Sequence, residues 1–283
     1  MRLSSPDKVL FPRDGITKAD LFAYFGTVAP AMLPHLADRP LSLERYDRGI
    51  DAQRVFVQHM PKGAPAWLRS AETPKRGGGT VRHPVVHDAE GLLWLAQQNV
   101  PTAHAWTARA DRLDRPDRLV WDLDPPGPEA FEVARATALA LGEVLREAGC
   151  APWAMTSGSK GIHVVVPLAR RASWEAARDA ARAVAEEVVA RDPGTRTLEW
   201  LKEDRGGRLL VDLRTRYGHT VVVPYAVRAR DTAPVATPLR WEELEDPALH
   251  ARRWTLRTVP DRLAAGGDPW AGIAAAAAGL PRV

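Results

Sequence analysis

Asp122 and Asp124 stand two apart in Leu119-Val120-Trp121-Asp122-Leu123-Asp124, a stretch stopped by Pro125-Pro126-Gly127. The alternation predicts a strand. Successive strand residues point to opposite faces, so the two carboxylates project together while Trp121 and Leu123 face the other way. Anions this close repel unless a cation lies between them, and hard divalent ions such as Mg²⁺ or Mn²⁺ take such oxygen ligands. Read alone, the pair also suits a solvated strand end before a turn. Asp212 argues for the metal reading, because it sits inside a second predicted strand, Leu209-Leu210-Val211-Asp212-Leu213, where a lone acid is costly unless paired or ligated. Three acids on one sheet face predict a two-metal phosphoryl-transfer site, one ion activating an attacking hydroxyl and the other steadying the leaving pyrophosphate.

The segment Ser157-Gly158-Ser159-Lys160-Gly161-Ile162-His163 offers what such a site still needs. Small residues let backbone amides approach phosphates, Lys160 supplies a point charge, and His163 begins the next strand. It is not a Walker A sequence, since Gly-Lys-Ser/Thr is absent, and as a bare pattern it is also an ordinary turn. Of 39 basic residues 33 are Arg, a bias that usually reflects genome composition, yet it makes each of the few Lys a candidate for a place where a compact ammonium is wanted; Lys8, Lys18 and Lys160 are among them.

These residues need a scaffold. Thr17 and Asp20 are spaced as a capping box for a helix through Leu21, Phe22, Phe25, Val28 and Met32, whose free N-terminal amides could hold an anion. Beyond the Asp122 strand come a helix from about Glu129 to Ala148, a strand at Pro152 to Met155, the Ser157 turn and a strand at Ile162 to Pro167. A second helix, Ser173 to Ala190, leads to strands Leu209 to Leu213 and Thr220 to Tyr225. This β-α-β-β-α-β-β order predicts an RRM-like split βαβ sheet with two helices on one face and the other face open to ligand. The fold class is α/β (α+β) in one domain over 1–283: an N-terminal α/β lobe at 1–112, a catalytic lobe at 113–235 and a C-terminal extension at 236–283. Within the extension, Ala271 to Leu280 reads as a helix or a disordered end.

Val120-Trp121-Asp122-Leu123-Asp124-Pro125, Thr156-Ser157-Gly158-Ser159-Lys160-Gly161-Ile162-His163 and Val211-Asp212 resemble, in order, three motifs of the archaeo-eukaryotic primase superfamily. The branch resembled is the polymerase domain of bacterial end-joining DNA ligases (ligase D), or a stand-alone primase-polymerase related to it. Asp7-Lys8-Val9-Leu10-Phe11-Pro12, Thr17-Lys18-Ala19-Asp20, Gly91 to Gln98 and Trp241-Glu242-Glu243-Leu244 extend the likeness over nearly the whole chain. The resemblance implies an archaeo-eukaryotic primase fold in which Asp122, Asp124 and Asp212 hold two Mn²⁺ or Mg²⁺ ions. It places Ser157, Lys160 and His163 beside the incoming NTP or dNTP, with His104, Arg205 and Arg228 as further basic contacts. On the DNA side it implies Lys8 and Lys18 at a downstream 5′-phosphate, Arg45 nearby, and Phe56 stacked on a template base. From the residues alone Phe56 could equally be core.

Three positions depart from the resembled pattern: Glu44 stands where a basic residue is common before Arg45, Val55 replaces one of two paired aromatics, and Gln58 replaces a common Lys. No Lys-x-Asp-Gly ligase signature occurs, so these residues are not expected to seal nicks: the chain is either a stand-alone polymerase or a domain cut from a longer protein, with a separate DNA ligase and a Ku-type end-binding protein as candidate partners. The activity expected is gap filling or end alignment by addition to a 3′-hydroxyl, with tolerance of ribonucleotides and use of Mn²⁺ following from the resemblance. A primer-independent primase, a metal-dependent phosphoesterase and a non-catalytic DNA-end binding module are the rivals. The net charge of +4 and pI near 9.4 allow an anionic partner. The absence of any long apolar run predicts no membrane span, and one cysteine, Cys150, excludes an internal disulfide, so the expected location is cytoplasmic.

Overall fold

Val9–Phe11 (β1) pairs antiparallel with Ile16–Thr17 (β2), and Thr17 ends this ribbon by capping a helix. The Thr17 hydroxyl accepts from the Asp20 amide while the Asp20 carboxylate accepts from the Thr17 amide, the reciprocal arrangement that the spacing predicts. The helix, α1 (Lys18–Leu36), buries Leu21, Phe25, Val28 and Met32 on one face. The structure, a computed structural model, describes residues 1–75 and 77–283. It divides into one unit of Met1–Leu113, Thr220–Thr237 and Trp254–Asp268 and another of Asp114–His219, Pro238–Arg253 and Pro269–Val283.

In the first unit β3 (Leu41–Arg45), β4 (Val55–Val57), a hairpin of β5 (Arg69–Pro74) and β6 (Thr80–Val85), α2 (Ala89–Gln97) and β7 (Thr102–Trp106) follow α1. The strand Thr220–Val222 joins β7, β3 and β4, in that order, as a four-stranded sheet.

The second unit carries β8 (Arg118–Asp124), α3 (Phe131–Glu147), β9 (Trp153–Thr156), β10 (Ile162–Pro167), α4 (Trp174–Arg191), β11 (Arg196–Thr197) and β12 (Leu209–Leu213). These strands lie side by side as β11-β12-β8-β10-β9, the split βαβ arrangement expected, and Thr237–Leu239 adds a sixth strand next to β9. Phe131, Ala134, Ala138, Leu141 and Leu145 of α3 and Ala177, Ala181, Val184 and Val188 of α4 are buried at helical spacing. Trp121 is fully buried, its indole N–H donating to the Ala181 carbonyl 3.0 Å away, which fixes the helix-covered face of β8. Asp122 and Asp124, one residue out of phase, take the opposite face.

Three expectations need correction. Thr220 to Tyr225 does not continue the catalytic sheet: Thr220–Val222 pairs with β7, Thr220 opposite Trp106 and Val222 opposite His104. The lobes expected at 1–112 and 113–235, with 236–283 as an extension, are therefore interleaved, since 220–237 and 254–268 return to the first unit. Alternation marks a strand, but its partner is settled by long-range burial that a local pattern does not encode. Ala271 to Leu280 is neither a helix nor disordered; a single 3₁₀ turn at Ile273–Ala276 precedes Ala278, which bridges to Leu168.

Candidate active site

β10, β8 and β12 bring His163, Asp122 and Asp212 into one lateral row, His163 opposite Asp122 and Asp122 opposite Asp212. Asp124 lies two residues along the same face of β8. Each acid meets a cation. His163 Nε2 is 3.3 Å from Asp122 Oδ1, and Arg214 reaches Asp122 at 3.1 Å and Asp212 at 2.8 Å. Lys160 Nζ and Arg205 flank Asp124 at 2.8 and 3.3 Å. Burial works against ionisation of Asp122, but the charge and hydrogen bond of His163, with Arg214, hold its carboxyl well below the usual carboxylate range. Asp212, 8% exposed, is pushed the other way by burial and by the charges of Asp122 and Asp124, against the pull of Arg214.

The loop between β9 and β10 is held tightly. The Ser157 hydroxyl accepts from the amides of Ser159 and Gly161 at 3.2 and 3.1 Å, so it shapes the turn and keeps its own proton to donate. Gly161 passes so close to β8 that a Cβ there would lie 1.9 Å from the Leu123 carbonyl oxygen. The Arg252 guanidinium adds a donor to the Ser159 carbonyl at 2.8 Å.

Among the described residues no three His, Cys, Asp or Glu side chains are arranged to hold a metal ion. The donor set nevertheless fits a hard divalent cation. Three carboxylates share one sheet face, the charges of Asp122 and Asp124 help to push the Asp212 carboxyl up, and every one already draws a positive group. Arg214 and Lys160 occupy oxygens that such an ion would take.

Sequence reasoning missed Arg214, although it lies two residues beyond Asp212, where period two puts it on the same side. It also undervalued Glu44. In the first unit Glu44 accepts from His104 Nε2 at 2.9 Å, from the Tyr46 hydroxyl at 2.9 Å and from Arg54 at 3.3 Å. Burial alone would raise its carboxyl, but His104, the charge of Arg228 and the Tyr46 hydroxyl hold it at about 2. Phe56 lies opposite Glu44 on β4, 6.3 Å from the His104 ring and with the Arg54 guanidinium 5.8 Å from its centre. At 45% exposed, Phe56 is not core. Arg45 pairs with Asp47 at 2.9 Å.

Lys8 and Lys18 are adjacent through the β1–β2 ribbon, the Lys18 amide donating to the Lys8 carbonyl at 2.8 Å. Lys18 is 4% exposed, its ammonium donating to the Ser4 carbonyl at 3.0 Å and facing no carboxylate among the described residues. Burial, and then the charge of Lys8, lower its pKa. The free helix amides expected there are absent: Lys18, Ala19 and Asp20 amides are taken by Lys8, Pro6 and Thr17.

No helix among the described residues is long and apolar enough to cross a membrane. A family model described as the LigD primase-polymerase domain matches residues 17–270. The multifunctional non-homologous end joining protein LigD of Mycolicibacterium smegmatis is 34% identical over 271 residues, 95% of this chain and 35% of that protein. The LigD DNA repair protein of Mycobacterium tuberculosis is 35% identical over 275 residues, 94% of this chain and 36% of that protein. The chain thus spans about a third of the length of these curated relatives. The polymerase domain of Mycobacterium tuberculosis ligase D, solved in complex with DNA, matches with a TM-score of 0.90 at 33% identity over 98% of this chain and 99% of that one. The fold is therefore that of a LigD polymerase domain, archaeo-eukaryotic-primase-like, and the chain belongs to the LigD primase-polymerase family.

Proposed function

We propose that this chain is a template-directed nucleotidyltransferase that extends a 3′-hydroxyl across short gaps or aligned ends in DNA repair. The observation that carries the reading is the row His163, Asp122, Asp212 with Asp124 beside it, facing a loop built around Ser157, Lys160 and Gly161. In the transfer, the 3′-oxygen bonds to the α-phosphorus of the nucleotide as its bond to the β-phosphate oxygen breaks; the hydroxyl proton is lost to water and pyrophosphate departs. Asp122, Asp124 and Asp212 are the residues that would hold Mn²⁺ or Mg²⁺, which when bound supplies charge neutralisation for the attacking and leaving oxygens. Lys160 and the Ser157 hydroxyl donate to the triphosphate, His163 keeps Asp122 ionised and oriented, and Arg205 adds positive charge at Asp124.

In the first unit His104 and Arg228 are the further basic contacts to nucleotide, with Glu44 fixing the imidazole. Phe56 is the stacking platform for a template base and Arg45 adds a nearby cation. Lys8 and Lys18 receive a 5′-phosphate. The partners proposed are gapped or broken DNA, a nucleoside triphosphate accepted as ribonucleotide or deoxyribonucleotide, a DNA ligase and a Ku-type end-binding protein, all in the cytoplasm. The test is primer extension on a gapped duplex, comparing rNTPs with dNTPs and Mn²⁺ with Mg²⁺. Template-matched addition supports the reading; synthesis on an unprimed template with no preference for a primer would put the primase alternative in its place.

A further inference from the structure

Along the outer flank of β12 runs a cleft of about 600 Å³ whose lining, apart from Asp212 and its partner Arg214, has no role in the reading above. β11 pairs only with Leu209 and Leu210, so beyond them that flank of β12 carries no further strand among the described residues. Arg178 and Arg182 of α4, Trp200 from the segment after β11, and Thr215, Arg216 and His219 from the segment after β12 line the space. Arg178 and Arg182 have only exposed acidic neighbours, Asp179 and Glu186, and such pairs hold their partners weakly. Arg216 has no acidic partner among the described residues. Asp212, the acid in the lining, is already met by Arg214.

Two further features point to a ligand. Trp200 is 63% exposed, an unusual place for a large indole in a folded chain. Thr215 is 1% exposed, yet its hydroxyl has no hydrogen-bond partner, and the same holds for Nδ1 of His219. Buried polar atoms left unmet are costly and call for a partner. A strip of guanidinium groups beside an open aromatic face matches a polymer that alternates phosphates and flat bases. An acidic peptide would satisfy the charge but leave the indole unused.

The placement within the sheet says which strand. The Ser157 to His163 loop stands on the β10 side of the acids, and the cleft stands on the β12 side. In-line displacement puts the attacking oxygen opposite the leaving pyrophosphate. We infer that this cleft is the track of the strand bearing the 3′-hydroxyl, its phosphates passing Arg178, Arg182 and Arg216 and one of its bases stacked on Trp200. The inference rests on the nucleotidyl-transfer reading given above.

The experiment uses the whole chain with two probes. One is a fluorescein-labelled single-stranded oligothymidylate, titrated by anisotropy over a salt series; the other is a primer-template, extended while primer-template and nucleotide are varied separately. Trp200→Ala is expected to weaken oligothymidylate binding roughly tenfold. The Arg182→Gln, Arg216→Gln double variant is expected to lower the slope of log affinity against log salt by about 1.4, two contacts at about 0.7 each for a single strand. Both should raise KM for primer-template far more than KM for nucleotide, and both should melt with the wild type. Unchanged affinity and salt slope in these variants, while the wild type extends its primer, would overturn the inference. If the wild type adds no nucleotide at all, the transferase reading falls; a strand-binding cleft is then upheld or rejected by the oligothymidylate titration alone.

Discussion

Asp122 on β8 and Asp212 on β12 are direct cross-strand partners, yet their surroundings drive the two carboxyls in opposite directions. Asp122 is anchored by His163 and Arg214, which outweigh the cost of its burial. Asp212 shares Arg214 but faces both other acids, so burial and repulsion favour its neutral form. Neighbouring titratable groups forced apart in this way are characteristic of sites built to bind a cation or move charge.

The stability of the metal-free chain should therefore respond oppositely to the two amides. An ionised Asp122 is favoured by the fold, so its contribution is present above the unfolded pKa of about 3.9 and is lost as pH falls through its lower folded value. Asp212 carries a charge that costs stability above its raised folded pKa and is relieved by protonation below it. In chelator at neutral pH, Asp122→Asn should cost about 1.5–3 kcal/mol through its lost charge-assisted bonds. Asp212→Asn should melt at or above the wild type, an advantage that closes as pH falls. Both should abolish nucleotide addition. Thermal melts across pH would sink this account if the two variants shifted stability the same way.

Gly161 and Lys160 separate the shape of the loop from its charge. A Cβ at Gly161 would meet the Leu123 carbonyl oxygen of β8, backbone that cannot swing aside, so Gly161→Ala should destabilise by about 1–3 kcal/mol and displace the turn. Lys160→Ala leaves that packing alone and should lower kcat/KM for nucleotide by about 1.5–3 kcal/mol at unchanged melting temperature. Wild-type kinetics in Lys160→Ala at low nucleotide concentration would reduce the loop to a turn.

Glu44 gives a pH signature in the first unit. With its carboxyl held at about 2, its contribution is fully present above the unfolded value near 4.3 and is lost as pH falls toward 2. Glu44→Gln should cost about 1–2 kcal/mol at neutral pH, and the difference from the wild type should shrink over that acid range. Denaturant titrations at neutral and acid pH measure it directly. A gap that stays constant with pH would mean that lost packing, not charge, explains the defect.

What could be seen in the sequence followed from what is local. Alternation in 119–124 and 209–213 put Asp122, Asp124 and Asp212 on the ligand face, and helical spacing in 131–145 put Phe131 and Leu145 beneath it, because strand and helix periods are fixed by backbone geometry. The partner of Thr220–Val222 was hidden, since β7 lies more than a hundred residues earlier and no local pattern names it. Arg214 was visible in principle from its spacing to Asp212 but lost among 33 arginines. Glu44 was seen as a departure from a pattern, while its hold on His104 across sixty residues needed the β3–β7 register.

The final expectation concerns Lys8 and Lys18, which the β1–β2 ribbon joins without any help from helix amides. Lys18 is nearly buried, donates to the neutral Ser4 carbonyl and feels Lys8, so its charged form is disfavoured until an anion arrives. Lys18→Met keeps most of the buried stem and removes the charge, so it should melt higher than the wild type near neutral pH. That advantage should shrink as pH rises above the lowered folded pKa of Lys18 and be gone above the unfolded value of about 10.4, where both states have shed the proton. The wild type should bind a gapped duplex with a downstream 5′-phosphate more tightly than the 5′-hydroxyl form, by about 1.5–3 kcal/mol for a charge-assisted contact. Lys18→Met should lose that preference, and Lys8→Ala with Lys18→Ala should erase it. Extension of a primer-template with no downstream strand should change little in either. A phosphate preference that survives the double variant would move the 5′-end site elsewhere. A wild type indifferent to the phosphate would favour a primase over gap filling, because a buried ammonium without a carboxylate would then have no anion to justify its cost.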